Sequence, residues 1–324
     1  MRIGLALLAA LGGAAVASAQ PVSPAAPAPP AAPAEDYAAI RAAANARPDS
    51  PGTGPYAAVK EVEAGLPAHV LYRPADLRSL GARKLGVLVW GNGGCSDDGA
   101  SARFHLAEIA SHGYLVIAPG EVRSGPGAVP APPRTGPPGR LAVETGEGDV
   151  RAGITWALAE NGRKGSPYYG RIDPKWVAVA GHSCGGLQAL QIAGDPRVHA
   201  VIVHNSGVFT DGTNPIAGLT VDKSLLKTLH TPVLYVLGGP TDIAYPNGTD
   251  DFRRIDHVPA VLLNLPVGHG GTFLEPDGGR VAQVALAWLE WQLRGDTTAA
   301  KMFTGKDCGL CADRQWTIER KGID

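Results

Sequence analysis

One serine stands between glycines at a change of local pattern. The stretch WVAVAGHSCGGLQALQIAG, from Trp176 to Gly194, begins as an apolar, β-branched run and continues with helical periodicity; Gly181-His182-Ser183-Cys184-Gly185 lies at the junction. A serine hydroxyl acts as a nucleophile when it projects from its backbone and a base can take its proton. The tip of a sharp strand-to-helix turn makes it project, and small neighbours let strand and helix pass close together. The next amide, that of Cys184, then points to where an oxyanion would form, beside a helix N-terminus whose dipole favours negative charge. With an apolar strand before it (Val177 to Ala180) and a helix after it, the G-x-S-x-G pattern reads as a nucleophile elbow.

Such a serine needs a base, and the base needs an orienting carboxylate. For an elbow of this kind the chain order is serine, acid, histidine. Asp242 follows the run VLYVLGGP, and His269 follows AVLLNLPV in GHGGTF, so both fall at the carboxyl ends of strands, on the rim that carries Ser183. The other candidates fit less well. His182 is beside the nucleophile but should face elsewhere on the turn; His204 lies within a strand; His230 and His257 flank strand starts, at the opposite rim. Asp211, after AVIVHNSG, is the rival acid, while Asp250 and Asp251 lie deeper in their loop. A second oxyanion donor should come from the loop after GVLVW, Gly91-Asn92-Gly93-Gly94-Cys95, with Asn92 or Gly93 supplying the amide. Each donor would contribute roughly 3 kcal/mol in the transition state.

The elements that must hold these groups are legible as alternating runs. AHVLYRP, KLGVLVWGNGG, YLVIAPG, WVAVAGHS, AVIVHNSG, TPVLYVLGG and AVLLNLPVGHGG read as strands, several of them continuously apolar, as strands covered on both faces are. Helical patterns occupy Ala102 to His112, Gly148 to Asn161, Leu187 to Ala193 and Gly279 to Arg294, most with glycine just past the end. The alternation predicts an α/β fold, a mostly parallel central sheet with helices on both faces. Pro119 to Arg140 is a Pro/Gly-rich excursion at the carboxyl end of a strand, placed to border a site or to form a loose insertion.

The chain of 324 residues is 44% hydrophobic and 18% charged, with a net charge of −1 and acids and bases intermixed. That supports a full core and gives no basic stripe for nucleic acid. MRIGLALLAALGGAAVASAQ has a basic start, a short apolar run and a small-x-small site at Ala17-Ser18-Ala19, so residues 1–19 read as a cleaved signal peptide. The Pro/Ala tract of residues 20–36 reads as a disordered spacer, which leaves 37–324 as one domain with a cysteine-containing tail. The mature protein is then expected in the periplasm or outside the cell, without stable membrane insertion.

HLAEIASHGYLVIAPG, GRIDPKWVAVAGHSCGG, TPVLYVLGGPTDIAYP, LPVGHGGTF and VALAWLEWQLRGDT together resemble the bacterial cutinase-like polyester hydrolases and lipases and, more loosely, chlorophyllases and dienelactone-hydrolase relatives. The likeness runs over about residues 50 to 300. It implies an α/β-hydrolase fold without a large lid domain, a triad of Ser183, Asp242 and His269, and oxyanion donors at Cys184 and the Asn92/Gly93 region. The chain departs from the pattern in three places. GNGGC carries glycine or asparagine where polyester hydrolases carry an aromatic after the third-strand glycine, Cys184 replaces a methionine, and HNSGVF offers only Phe209 where they have tryptophan. These departures touch polyester activity and leave ester hydrolysis intact.

The four cysteines allow three complete pairings. Cys308-Gly-Leu-Cys311 lacks the context of a redox or zinc motif and reads as a local disulfide in the tail. Cys95 follows the oxyanion loop and Cys184 the nucleophile, and in the fold implied by the resemblance those two backbones converge. They either form a disulfide beneath the oxyanion hole or remain a loop thiol and a small buried hydrophobe.

The expectation is a secreted serine hydrolase acting on small or polymeric carboxylic esters, most readily with short acyl chains, through an acyl-enzyme and without cofactor or metal. The alternatives are a polyester- or cutin-type hydrolase, a peptidase or amidase of the same fold, and a non-catalytic binding module. Nothing in the chain indicates the natural alcohol or the oligomeric state.

Overall fold

Every run read as a strand forms one. In chain order the strands are β1 (Ala58–Glu61), β2 (His69–Pro74), β3 (Leu85–Gly91), β4 (Tyr114–Pro119), β5 (Ile172–His182), β6 (Ala200–His204), β7 (Val233–Leu237), β8 (Ala260–Asn264) and β9 (Thr317–Lys321). The helices are α1 (Tyr37–Asn45), α2 (Arg103–Ser111), α3 (Glu147–Gly162), α4 (Cys184–Ile192), α5 (Tyr245–Arg254) and α6 (Gly279–Arg294), followed by the short α7 (Thr297–Ala300) and α8 (Gly309–Ala312). The structure, a computed structural model, describes residues 37–130, 142–210 and 213–324. The expected signal peptide and spacer, the later part of the Pro/Gly-rich excursion and Asp211 lie outside the described residues.

Among the described residues the strands form one sheet of nine in the order β1-β2-β4-β3-β5-β6-β7-β8-β9. The pairs from β4 through β3 and β5 to β8 are parallel, and β1, β2 and β9 join antiparallel. Side-chain alternation divides the core. Val87 and Val89 of β3 pack with Ile154 of α3 and Leu187 of α4, while Leu88 and Trp90 pack with Leu106 of α2 and Trp288 of α6. Both faces are therefore covered, which accounts for the continuous apolar runs. The result is a mixed α/β architecture consistent with an α/β-hydrolase-like fold. The chain leaves β3 towards β4 on one side and returns as β5 on the other, so the sheet order reverses between β3 and β5. In open parallel sheets a crevice opens at the carboxyl ends of strands at such a reversal.

Besides the four-residue α7 and α8, four elements escaped the sequence reading, each for a local reason. β1 and β9 are edge strands, and TIERK in β9 is polar and half-exposed rather than apolar. α5 is built on YPNGTDDFRR, rich in residues that favour turns, and buries only Gly248, Asp251 and Phe252. α1 follows the Pro/Ala tract and buries only Ala44. α4 also starts earlier than expected, at Cys184, because the two glycines after it are already helical. The cysteine-containing tail does more than hang from α6: after the Cys308–Cys311 disulfide it pairs β9 along the edge of β8.

Beneath the crevice, the rings of Trp90, His105, His204 and Phe273 pack with centroids 5.2 to 5.6 Å apart. His105 and His204 are fully buried, and none of their four ring nitrogens has a hydrogen-bond partner among the described residues. Burial penalises the charged ring and pushes His105 down to about 3 and His204 well below its ordinary range. The folded protein keeps both rings neutral, whereas the unfolded chain protonates them below about pH 6.5. Their contribution is complete above that pH and is lost as the pH falls, at about 1.4 kcal/mol per pH unit for each ring. Denaturant unfolding measured between pH 7 and pH 5 should show this loss, and His105→Phe should make the dependence shallower. An unchanged slope would place the acid sensitivity elsewhere.

Candidate active site

Three glycines bring the site together. A Cβ on Gly185 would lie 2.0 Å from the carbonyl of Gly91, and one on Gly181 would lie 2.2 Å from the carbonyl oxygen of Gly185. The end of β3, the end of β5 and the first turn of α4 are thus in backbone contact at the sheet's reversal point. Between them Ser183 takes φ 53° and ψ −120°, a conformation a non-glycine residue holds at a cost of about 1–3 kcal/mol. Its amide donates to the His204 carbonyl at 2.9 Å, and its carbonyl accepts from the Gly186 amide at 2.9 Å and the Ser206 hydroxyl at 2.6 Å. These bonds hold the strained turn in place.

The structure brings Ser183, His269 and Asp242 into one line. His269 Nδ1 lies 2.6 Å from Asp242 Oδ1, and His269 Nε2 lies 2.9 Å from Ser183 Oγ. The ionised carboxylate accepts, so Nδ1 carries the hydrogen and Nε2 is left to accept from the serine hydroxyl. Asp242 is almost wholly buried. Burial raises its pKa, but the hydrogen bond from His269 and those from the Ala244 and Gly238 amides outweigh it and hold the carboxyl below its ordinary range. The amides lie 2.9 and 3.0 Å from its two oxygens.

Asn205 completes this arrangement and was not singled out from the sequence. It has φ 45°, and its Nδ2 donates to Asp242 Oδ2 at 2.9 Å and to the Gly268 carbonyl at 3.1 Å. One side chain therefore ties the acid to the loop that carries the histidine. The available signal was an Asn directly after β6, a residue type that tolerates positive φ.

The oxyanion loop separates the two residues that the sequence left open. Gly93 and Gly94 line the cavity containing Ser183, whereas Asn92 is buried behind them. Asn92 braces the loop: its Nδ2 donates to the Ser96 carbonyl at 3.0 Å and to the Pro119 carbonyl at 2.7 Å. Cys95 and Cys184 form a disulfide, with Cα atoms 5.2 Å apart, directly joining this loop to the residue after the nucleophile. Both are buried, and Gln188 of α4 donates to the Cys95 sulfur and to the Thr145 carbonyl.

His182 departs from expectation. It does not face away from the site; it lines the cavity, with its Nε2 donating to the His269 carbonyl at 2.8 Å. Gly93 makes room for it, since a Cβ there would lie 2.6 Å from its Nδ1. Burial, then the neighbouring His269, lowers its pKa to about 4, so it is a neutral wedge between oxyanion loop and histidine loop. Of the other candidates, His204 sits in the ring cluster below, and His257 Nε2 donates to the Leu229 carbonyl at 3.0 Å. Asp250 pairs with Lys223 and Arg254. Asp251 is buried 2.6 Å from the Lys223 ammonium and accepts from the Val208 amide, a structural anchor behind β7.

The cavity above these groups measures about 910 Å³. Trp90 and Phe273 form apolar lining, and Arg123 and Ser124, from the start of the Pro/Gly-rich excursion, border it. Phe209 instead packs against the core, and Thr272 is buried, its hydroxyl donating to the Gly278 carbonyl. No protein-family model matches the chain, and no curated protein matches it. No helix among the described residues is long and apolar enough to cross a membrane.

The disulfide closes a loop of 89 residues. Cross-links of that span stabilise by about 4–5 kcal/mol in the chain-entropy description. Replacing Cys95 and Cys184 together by alanine should lower the unfolding free energy by an amount of that order. Denaturant titration of wild type and double variant checks this, and a loss under about 1 kcal/mol would show that packing alone fixes the loop.

Proposed function

We propose that the protein is a serine hydrolase that cleaves carboxylic esters through an acyl-enzyme, in the manner of the cutinase-like hydrolases and lipases it resembles. The observation that carries this reading is the continuous relay from Asp242 through His269 to Ser183, 2.6 and 2.9 Å long, ending at a strained turn that opens into a cavity. A merely structural serine gains nothing from such a conformation or from a buried carboxylate aligned behind its histidine.

The geometry supports the following steps. His269 Nε2 takes the Ser183 proton as Oγ bonds to the ester carbonyl carbon, and the carbonyl electron pair moves onto oxygen. The Cys184 amide and an amide of the Gly93 segment stabilise that oxyanion, held in register by the disulfide. Asp242 stabilises the imidazolium without taking its proton. Collapse of the intermediate breaks the bond to the alcohol, which receives the proton from Nε2. Water then adds to the acyl-enzyme by the same path, giving up a proton to His269 and releasing the carboxylic acid and the free serine. The two disulfides and the signal-like N-terminal sequence support an oxidising location outside the cytoplasm.

Hydrolysis of p-nitrophenyl esters from acetate to palmitate, beside Ser183→Ala, tests the reading. Wild type should turn over the shorter chains, and Ser183→Ala should lose roughly 10⁴-fold or more. Equal inertness of both proteins on every ester would sink the esterase assignment. Asp242→Asn, which preserves shape but destroys the tautomer preference of His269, should lower kcat by about 10⁴-fold, with KM much less affected.

A further inference from the structure

Helix α1 forms part of the cavity wall. Its sequence, YAAIRAAAN, carries three side chains with strong hydrogen-bonding groups, Tyr37, Arg41 and Asn45, spaced by four and so aligned on one stripe. A surface helix normally turns such a stripe to bulk solvent. All three residues are exposed here, and they also line the cavity that contains Ser183 and His269. The helix is not held there by its own burial, since only Ala44 is buried. It is held by Arg103 of α2, itself buried, whose guanidinium donates to the Ala44 and Arg47 carbonyls at 2.7 and 2.9 Å and to Asp49 at 3.0 Å. A cation therefore meets the carboxyl end of the helix, where the dipole favours it. The guanidinium of Arg47, just past the helix, covers the Phe104 ring at 4.4 Å and bonds the Leu274 carbonyl. At the other end of α1 the Tyr37 ring lies over Gly270, next to the triad histidine; a Cβ on Gly270 would lie 2.8 Å from that ring.

The charges around the cavity are not equivalent. The Asp97 carboxylate accepts from Arg123 Nη2 at 2.8 Å, and that of Asp98 from the Arg123 and Ala100 amides and the Ser124 hydroxyl. Glu144 accepts from the Asp97 amide at 3.2 Å. Arg123 is thus committed to Asp97. Among the described residues no carboxylate pairs with Arg41. Tyr37 and Asn45 flank Arg41 with a hydroxyl and an amide that can also donate, so the stripe presents a row of donors to the cavity, with the Arg41 guanidinium at its centre.

Resting on the ester-hydrolase reading, we propose that α1 is the substrate-selecting wall of this site and that Arg41 binds the free carboxylate of a half-ester of a dicarboxylic acid. A guanidinium takes a carboxylate through two parallel charge-assisted hydrogen bonds, which fixes the acyl chain while its ester end reaches Ser183.

The test compares mono-p-nitrophenyl adipate, which is anionic, with p-nitrophenyl hexanoate, which is neutral and of the same acyl length. Wild type should prefer the anionic ester in kcat/KM. Arg41→Gln should reduce the ratio of the two kcat/KM values by about tenfold, chiefly through KM for the anionic ester, and Arg41→Lys should restore part of it. A ratio that Arg41→Gln leaves unchanged overturns the inference, whatever happens to the absolute rates. A second measurement does not depend on turnover. By calorimetry, Ser183→Ala should bind monomethyl adipate more tightly than dimethyl adipate, and adding Arg41→Gln should remove the difference. If wild type hydrolyses neutral esters but neither ratio responds to Arg41, the selecting role falls and the hydrolase stands. If no ester is hydrolysed but the binding difference appears and depends on Arg41, the carboxylate site stands and the hydrolase reading falls.

Discussion

The site depends on a contact in which no side chain takes part. Gly91, Gly181 and Gly185 let two parallel strands and a helix meet backbone to backbone, with separations that a single methyl group on Gly185 would abolish. The contact sets the sharpness of the turn, and the turn sets Ser183 at a positive φ with its hydroxyl towards the crevice. It also sets the distance between the oxyanion loop and the first amide of α4. A wider junction would leave the same residues in the same order without the geometry that makes them a unit.

A glycine-rich loop held at such a junction has little to keep it in one conformation. Gly93 and Gly94 have wide backbone freedom, and Gly94 and Cys95 both lie at positive φ. Three devices replace the missing packing. Asn92 ties the loop to two carbonyls, His182 wedges against Gly93 from the opposite side, and the disulfide joins Cys95 to Cys184. A donor that is already in place when charge develops costs no reorganisation at that moment. The cross-link sits at the residue after Ser183, so it fixes the loop against the first turn of α4.

What the sequence conveyed and what it withheld divide along one physical line. Central strands and the elbow are encoded locally, by continuous apolar runs and by glycines around one serine, and β2 to β8 formed where those runs lie. His269 and Asp242 were legible because chain order and strand ends place them on the rim of Ser183. The residues that escaped act through contacts distant along the chain. Asn205 matters only because Asp242 and Gly268 fold against it. Arg103 matters because the carbonyls of Ala44 and Arg47 lie 59 and 56 positions away in sequence. His182 was misplaced for the related reason that the local turn does not reveal which loop will cover it. β9 is polar and α1 is mostly alanine; both sit at margins and bury too little to leave a clear apolar pattern.

The buried acid shows how these distant contacts keep a charge in place. An isolated carboxylate at the depth of Asp242 would be driven towards its neutral form, which could no longer orient or stabilise an imidazolium. Two amides, the Asn205 side chain and His269 each place a hydrogen on its oxygens, so the charged form survives burial. The same burial keeps water from competing for those oxygens, which makes the alignment of His269 stiff. One of the four donors, Asn205, reaches Asp242 only by holding the left-handed backbone conformation immediately after β6. The positive-φ residues Asn205 and Ser183 are therefore linked: both sit at the ends of adjacent strands, and the His204 carbonyl that receives the Ser183 amide belongs to the residue before Asn205. The two sparsely populated conformations share one hydrogen-bonded ladder, so the sheet that supports one necessarily supports the other.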